Sequence, residues 1–302
     1  MASNTRSIDL PTLKPVSQVR QRRNRRVGQI VQKILIYALL LFFSVLFLFP
    51  LFWMLTTALK SNAQIYIWPP QWIPDPMQWS NFPAALTDPY LPFGRFFTNT
   101  LIVEAGVVSG RLISCTLVSY GFARLNAPGK NIWFTIMLAT LMLPSAAILI
   151  PQYILFTRFG WVGSFLPLIV PAWFGEAFAI FLIRQFFMSI PYELEEAALI
   201  DGANRLTILW RIIIPLSMPV LAVITIFTFK DNWNDFLRPL LFLSNSKLYT
   251  VAIGIQYYNG QNIVQMNLLM AASVAMLLPV IGLFIVAQRA FVEGISLTGI
   301  KG

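Results

Sequence analysis

The chain has 302 residues, of which 57% are hydrophobic and only 11% are charged, and its formal net charge is +10. A soluble domain carries about 25% charged residues, so this composition excludes an ordinary soluble protein and indicates an integral membrane protein. The positive charge does not indicate nucleic-acid binding, because much of it crowds one segment ahead of the first apolar run. There it favours a topology signal and contact with anionic lipid, through Arg20, Arg22, Arg23, Arg25 and Arg26.

The residue types also limit the chemistry. The sequence contains no histidine and a single cysteine, Cys115, which excludes a disulfide or a thiolate metal cluster within one chain. It lacks a glycine-rich phosphate loop of the GxxxxGK[ST] kind, so nucleotide chemistry would have to come from another protein. We therefore expect no catalytic residue, no metal and no directly bound cofactor.

The first third of the chain predicts an arm, one span and a long connector. Residues 1–30 are polar and basic, with no apolar period, which predicts a mobile cytosolic arm. The uncharged run from Ile34 to Leu59 exceeds the roughly 20 residues of a membrane-spanning helix, and the membrane domain would cover residues 31–302. Residues 60–96 are rich in proline and tryptophan, which predicts an external loop with its tryptophans at the membrane interface; sugar binding by these rings is a less favoured alternative.

Three further spans are predicted at residues 97–123, 132–156 and 165–187. The second span carries Glu104 and Arg111, which share a helical face and require a polar contact, a partner subunit or a water-filled cavity. Its small residues Gly106, Gly110 and Ser114 have a spacing that permits close helix packing. Prolines in the third and fourth spans predict kinks.

Residues 189–216 carry too many charges to lie in hydrocarbon. Pro191 suits the first turn of a helix, the glutamates after it complement the positive helix N-terminus, and Gly202 permits a left-handed turn that ends the helix. A second short helix is predicted up to Pro215. The segment is predicted to be a helix-turn-helix at the membrane surface, whose small residues Ala197 and Ala198 another protein could approach closely. An amphipathic surface loop without a special role fits the same facts.

A fifth span is predicted over residues 218–242, with polar residues in its outer half. Asp231 and Asp235 share a helical face. A translocation cavity and packing contacts that support a gate are both open readings, the second slightly favoured; the candidate cavity residues are Trp233, Asn234, Asp235 and Glu104. Residues 244–266 are polar and predict an exposed external turn, which precedes a last span over residues 268–288.

The order Glu196-Ala197-Ala198, three residues, Gly202, nine residues, Ile212, one residue, Ile214-Pro215 resembles the Glu-Ala-Ala (EAA) loop of ATP-binding-cassette (ABC) importer permeases. Ile214 stands where that family usually has leucine. The segment FLIRQFFMSIP at 181–191, the segment WNDFL at 233–237 and the C-terminal GISLTGIKG also resemble the carbohydrate branch, which includes the second membrane subunit of the maltose importer.

This resemblance implies an all-α, polytopic membrane protein of the type I ABC importer fold, with six transmembrane helices and a cytosolic coupling helix. It implies a heterodimer with a second homologous permease subunit, two ABC ATPase subunits that supply ATP and Mg²⁺, and an external solute-binding protein. The residues implied in ATPase coupling are Glu196, Ala197, Ala198, Asp201, Gly202, Ile212 and Pro215. By analogy, an outer loop with Tyr257, Tyr258, Asn259 and Gly260 would contact the binding protein.

Basic residues predict the orientation of the chain. In a six-span arrangement, one side of the membrane carries more basic residues: it includes the arm, the turn with Arg124 and Lys130, the EAA loop and the tail. Because the side rich in basic residues is cytoplasmic, both termini are predicted in the cytoplasm of a bacterial or archaeal cell. A sugar or oligosaccharide is the expected solute, and glycerol phosphate or another polyol-type solute is the alternative. An ion-coupled secondary transporter, which uses membrane carboxylates and needs no partner, is the rival from another class.

Overall fold

The structure is a computed structural model that describes the backbone of residues 16–88, 92–260 and 265–299 and the side chains of residues 29–88, 92–256, 265–286 and 288. The chain forms two compact units, residues 1–54 and residues 55–302. Within the described ranges every regular element is helical and no strand occurs. The predicted all-α class is confirmed.

Helix α1 spans Val16–Ala58 and leaves the apolar side chains of its membrane segment, Gln29–Ala58, largely exposed. The basic residues at 20–26 therefore lie on a helix, which the absence of an apolar period in residues 1–30 did not predict. Arginine and glutamine are good helix formers, and this segment extends a helix that has already nucleated in the apolar run. Residues 1–15 lie outside the described ranges.

Four helical segments of the described chain are long and apolar enough to cross a membrane: Gln29–Ala58, Phe93–Arg124, Leu166–Ser189 and Met266–Val286. Two sharply bent pairs raise the number to six if each pair is one span, namely Lys130–Met142 with Ser145–Arg158, and Arg205–Leu216 with Met218–Trp233. The first pair is bent by 100° because Pro144 forces the preceding residue out of the helical region, and Leu143 is accordingly extended.

The remaining helices follow in chain order. They are α2 (Asn62–Ile65), α3 (Asn81–Thr87), α4 (Phe93–Arg124), α5 (Lys130–Ala139), α6 (Ser145–Arg158), α7 (Leu166–Ile169), α8 (Ala177–Ser189), α9 (Glu193–Ile200), α10 (Arg205–Ile208), α11 (Ile214–Leu216), α12 (Met218–Trp233), α13 (Leu237–Phe242), α14 (Val251–Gly260) and α15 (Met266–Gly299). A 3₁₀ turn, Val170–Phe174, lies between α7 and α8.

The predicted fifth span is broken at Trp233. Helix α12 ends there, and α13 begins at Leu237. Asn232 and Asn234 donate side-chain hydrogen bonds to the carbonyls of Thr228 and Lys230, at 2.7 and 2.9 Å. Asparagine side chains that bond to nearby backbone compete with helix propagation, so the polar cluster that suggested a cavity also ends the helix.

Helix α4 is the centre of the second unit, because it supplies residues to each of its three apolar clusters. Cys115 and Tyr120 pack with α8 and α12, Phe93 and Phe96 pack with α15, and Val103 packs with α13. The predicted small-residue stripe is part of this packing. Gly106 lies against Ile169, Gly110 lies against Trp173, and the Ser114 hydroxyl donates to the Ala172 carbonyl at 3.0 Å.

The prediction of an exposed turn over residues 244–266 is wrong for the part that forms α14. The first residues of α14, Val251–Gly254, are buried against α4. Thr100 accepts a hydrogen bond from the Val251 amide at 2.9 Å, and Asn99 donates to the Lys247 and Tyr249 carbonyls at 2.9 and 3.0 Å. The apolar pattern of residues 251–255 is the signal for this burial.

We predict that Gly254→Ala destabilises the chain. A Cβ at this position would lie 2.5 Å from the buried Phe96 ring, which has no room to move, and overpacking of this kind costs about 1–3 kcal/mol. The matched control is Gly121→Ala on α4, where an added Cβ has no neighbour within 4 Å. The measurement is the fraction of detergent-solubilised protein that stays monodisperse after heating, plotted against temperature. Equal midpoint temperatures for the two variants would contradict the packing described.

Candidate functional site

Helix α9 and the turn after it hold most of the predicted coupling residues. Three glutamates lie in the first turn of α9 and complement its positive end. The helix ends at Gly202, whose φ of +85° confirms the predicted left-handed turn. The Ala203 amide donates to the Ala198 carbonyl at 2.9 Å. This hydrogen bond is typical of the Schellman motif, in which a glycine in the left-handed conformation ends a helix.

A second helical stretch follows the turn. Asn204 caps it, accepting from the Thr207 amide at 2.8 Å, and it passes through a wide π-helical turn, Leu209–Ile213, into α11. The stretch continues to Leu216 and does not end at Pro215 as predicted. Pro215 lies at the start of α11, directly after the π-helical turn. A bend of 77° then leads into α12.

The strongest polar contact of this region joins Arg124, at the end of α4, to Glu195 of α9. The Arg124 Nε and Glu195 Oε1 atoms are 2.9 Å apart, and the side chains are only 6% and 0% exposed. Arg124 also donates to the carbonyls of Phe187 and Ile190, at the C-terminal end of α8. Arg205 donates to the second Glu195 oxygen at 3.5 Å. One arginine therefore ties α4, α8 and α9 together.

Sequence reasoning missed both members of this pair, because it treated the glutamates of α9 as one solvated group. Consecutive helical residues point about 100° apart, so Glu195 and Glu196 cannot share one environment. A glutamate that faces the bundle needs a cation there. Arg124, the last residue of α4, supplies that cation.

The opposite side of α9 is open. Glu196 and Asp201 are exposed, and their side chains have no hydrogen-bond or ion-pair partner among the described residues. Beside them, Leu194 and Ile200 are exposed apolar residues, Ile200 to 86%. Of the other predicted coupling residues, Ala197 and Pro215 are exposed, whereas Ala198 and Ile212 pack partly on the core.

The four candidate cavity residues do not come together in one cavity. Trp233 is 1% exposed, its indole donates to the Met276 carbonyl at 3.1 Å, and it packs α12 on α15. Asp235 pairs with Arg238, Asn234 bonds back to its own helix, and Glu104 is buried on α4. Glu104 makes no ion pair with Arg111 within 4 Å, and neither of its oxygens has a hydrogen-bond partner in the described part of the chain. The packing alternative therefore describes Trp233 and Asp235.

The residues predicted to contact a binding protein, Tyr257, Tyr258, Asn259 and Gly260, form the C-terminal end of α14. Their side chains lie outside the described part of the chain.

Residues 115–296 match the model of the family described as binding-protein-dependent transport system inner membrane component. The chain belongs to this family. It is a permease subunit of an ABC importer and a multi-pass protein of the inner membrane, which confirms the family predicted from the EAA motif.

Relatives in this family cover most of the chain. It is 31% identical to the sn-glycerol-3-phosphate transport system permease protein of Yersinia enterocolitica, over 86% of this chain and 94% of that protein. It is 30% identical to the sulfoquinovosyl glycerol transport system permease protein of Agrobacterium fabrum, over 84% and 89% of the two chains. A probable ABC transporter permease protein of Bacillus subtilis is also 30% identical, over 88% of each.

Solved structures share the fold. A chain of a bacterial ABC transporter involved in the import of the acidic polysaccharide alginate superposes with a TM-score of 0.77 at 24% identity, over 89% of this chain and 98% of that chain. A chain of a bacterial alginate ABC transporter in complex with a periplasmic protein bound to an alginate pentasaccharide gives 0.61 at 18% identity, over 87% and 94%. The predicted importer permease fold is confirmed.

We predict that Glu195→Gln and Arg124→Ala each loosen residues 191–216 from the bundle. Removing one member of a buried ion pair costs about 3–5 kcal/mol, because the other charge stays desolvated. Limited proteolysis of membrane vesicles measures cleavage within 191–216. The control is Arg205→Ala, since the Arg205 side chain is 42% exposed and such contacts are worth about 1 kcal/mol or less. Equal cleavage in all three variants would contradict the anchoring role of Arg124.

Proposed function

We propose that this permease subunit forms half of the translocation pathway of an importer for a sugar or oligosaccharide. A solute-binding protein would deliver the solute, a second homologous permease subunit would complete the pathway, and two ABC ATPase subunits would bind ATP and Mg²⁺. The chain would itself catalyse no reaction. The observation that carries the proposal is the two-sided character of α9, which is fixed to the bundle by Glu195 and open at Glu196 and Ile200.

The open side of α9 has the composition of a docking surface. Apolar side chains in contact with water mark an interaction site when polar residues surround them, and Leu194 and Ile200 lie between Glu193, Glu196 and Asp201. In this proposal α9 inserts into a cleft of the ATPase subunit, where Glu196 pairs with a cation. Closure of the ATPase on ATP would then move α9 as a rigid body and reverse the opening of the pathway.

The anchoring of α9 supports this rigid-body step. Arg124 binds α9 and the carbonyls at the end of α8 at the same time. A displacement of α9 would therefore move α4 and α8 with it, and would not be absorbed in a flexible loop.

The proposed orientation is supported by the distribution of basic residues, and the proposed solute class is supported by the relatives. The basic residues beside the spans support a cytoplasmic position for both termini and α9, by the positive-inside rule. The relatives named above are permeases for sn-glycerol 3-phosphate and sulfoquinovosyl glycerol, and the structural neighbours belong to alginate importers. These solutes are sugars, sugar derivatives or polyols, which supports the sugar class and keeps glycerol phosphate as the alternative.

We predict that Glu196→Lys stops uptake and weakens ATPase association at an unchanged membrane level. Loss of a charge that becomes paired and desolvated on docking costs about 2–5 kcal/mol, which weakens association more than tenfold. Copurification of the ATPase with tagged chain measures association. Glu193→Lys is the control, because Glu193 is exposed on the same helix outside the motif. Small and equal effects at both positions would mean that these glutamates only keep α9 in water.

We predict that shortening the segment from Tyr257 to Asn262 impairs stimulation of ATPase activity by the binding protein. The segment follows the buried part of α14 directly, so a contact made there would act on α4. ATPase copurification serves as the internal control and should be unchanged. Loss of copurification with normal stimulation of the surviving complexes would assign the segment a structural role instead.

A further inference from the structure

A cavity of about 260 Å³ lies between α4, α8, α12 and α13. Its wall includes Arg111 of α4, Glu176 and Phe178 at the start of α8, and Phe227 and Asp231 of α12. Charged side chains inside a membrane protein face a wet space or a partner. Asp231, for which a translocation cavity was one of two open interpretations, lines this cavity, whereas the four candidates Trp233, Asn234, Asp235 and Glu104 do not.

Two groups on the cavity wall have unused hydrogen-bonding capacity. The Asp231 carboxylate is exposed and has no hydrogen-bond or ion-pair partner among the described residues. Arg111 donates from Nη1 to the Thr228 hydroxyl at 3.4 Å, while its buried Nε has no hydrogen-bond partner in the described part of the chain. A carboxylate only accepts and a guanidinium only donates. The ligand that satisfies both must donate and accept, as hydroxyl groups do.

The other charges of the wall are already occupied. The Glu176 carboxylate caps α8 by accepting from the amides of Phe178 and Ala179, at 3.0 and 2.8 Å. Arg238 pairs with Asp235 and donates to Asn232 at 2.9 Å. The two arginines of the wall are balanced by Glu176 and Asp231. A phosphate or sulfonate would therefore find one available cation, Arg111, and would be repelled by the unpaired Asp231.

The apolar part of the wall is aromatic. The rings of Phe178 and Phe227 stack at a centroid distance of 6.4 Å and an interplanar angle of 28°, and both are partly exposed. Aromatic side chains beside a few convergent polar groups are the usual lining of a small-molecule site. A sugar ring matches this lining, because its C–H face is apolar and its edge carries hydroxyl groups.

We propose that this cavity contacts the solute during translocation and selects an uncharged, polyhydroxylated solute over an anionic one. Asp231 would accept from solute hydroxyls, Arg111 would donate to them, and Phe178 and Phe227 would pack on the ring. The inference rests on the proposed function, and it names the solute class within it.

The first test is uptake into proteoliposomes that contain the complete importer and its binding protein. The probe is a defined mixture of two neutral oligosaccharides, maltotriose and raffinose, with two anionic solutes, sn-glycerol 3-phosphate and digalacturonate. Mass spectrometry of the lumen identifies what accumulates when ATP is present. Accumulation of a neutral member supports the proposal, and preferential accumulation of an anionic member overturns it.

The second test uses the solute that accumulates and compares solute imported per ATP hydrolysed. Phe227→Ala and Asp231→Ala should lower this ratio about tenfold through lost solute contacts. Lys230→Ala is the matched control, since Lys230 is an exposed charge on α12 beside the cavity wall. An unchanged ratio in both cavity variants overturns the inference. Failure of the proposed function itself gives a different result, namely loss of binding-protein-stimulated ATPase activity in the unaltered complex.

Discussion

The ion pair of Arg124 and Glu195 is the contact on which the position of α9 depends. Burying a charge is costly unless it is paired and its remaining donors are bonded. Arg124 forms an ion pair with one carboxylate and donates from Nη2 to two carbonyls, and those carbonyls belong to the end of α8, where a helix leaves them without internal partners. The last side chain of α4 therefore caps the C-terminal end of α8 and binds α9. A surface helix held only by apolar contacts could roll or slide, whereas a charged network has one low-energy geometry.

Helix α4 extends this constraint through the second unit. The C-terminal end of α4 binds α9, and its middle packs through Gly106, Gly110 and Ser114 on the segment before α8. Near its N-terminal end, Asn99 and Thr100 form hydrogen bonds to residues 247–251, at and just before the start of α14. Packed helices transmit small displacements because their interiors are dense and cannot be compressed. A shift of α9 and a contact at α14 would thus act on the same helix from opposite ends. In the proposed function, α4 would link an ATPase to a binding protein.

Local sequence signals predicted the parts of this fold that depend on local chemistry. Uncharged runs predicted the apolar helices, Gly202 predicted the left-handed turn, and the small residues of α4 predicted close packing. The misses depend on contacts between distant segments. Burial of Val251 comes from Thr100, and burial of Glu195 comes from Arg124, neither of which a local window contains. The break after Trp233 was missed because its polar residues were interpreted as cavity or packing contacts within one continuous span, whereas two asparagines there donate to backbone carbonyls.

Each candidate site contains one charged residue with an ion-pair partner and one without. We interpret the paired residue as structural and the unpaired one as a candidate binding residue. On α9, Glu195 is paired inside the bundle, whereas Glu196 has no ion-pair or hydrogen-bond partner among the described residues. In the cavity, Arg238 is paired, whereas Asp231 has no such partner in the described part of the chain. A chain with so few charges gains no stability from an unpaired one in or beside a membrane, where desolvation is unfavourable. Exposure alone does not identify a binding residue, because Glu193 is as exposed as Glu196. The two proposals therefore rest on the neighbouring side chains: the exposed apolar residues of α9 would contact a protein, and the aromatic rings of the cavity would contact a sugar.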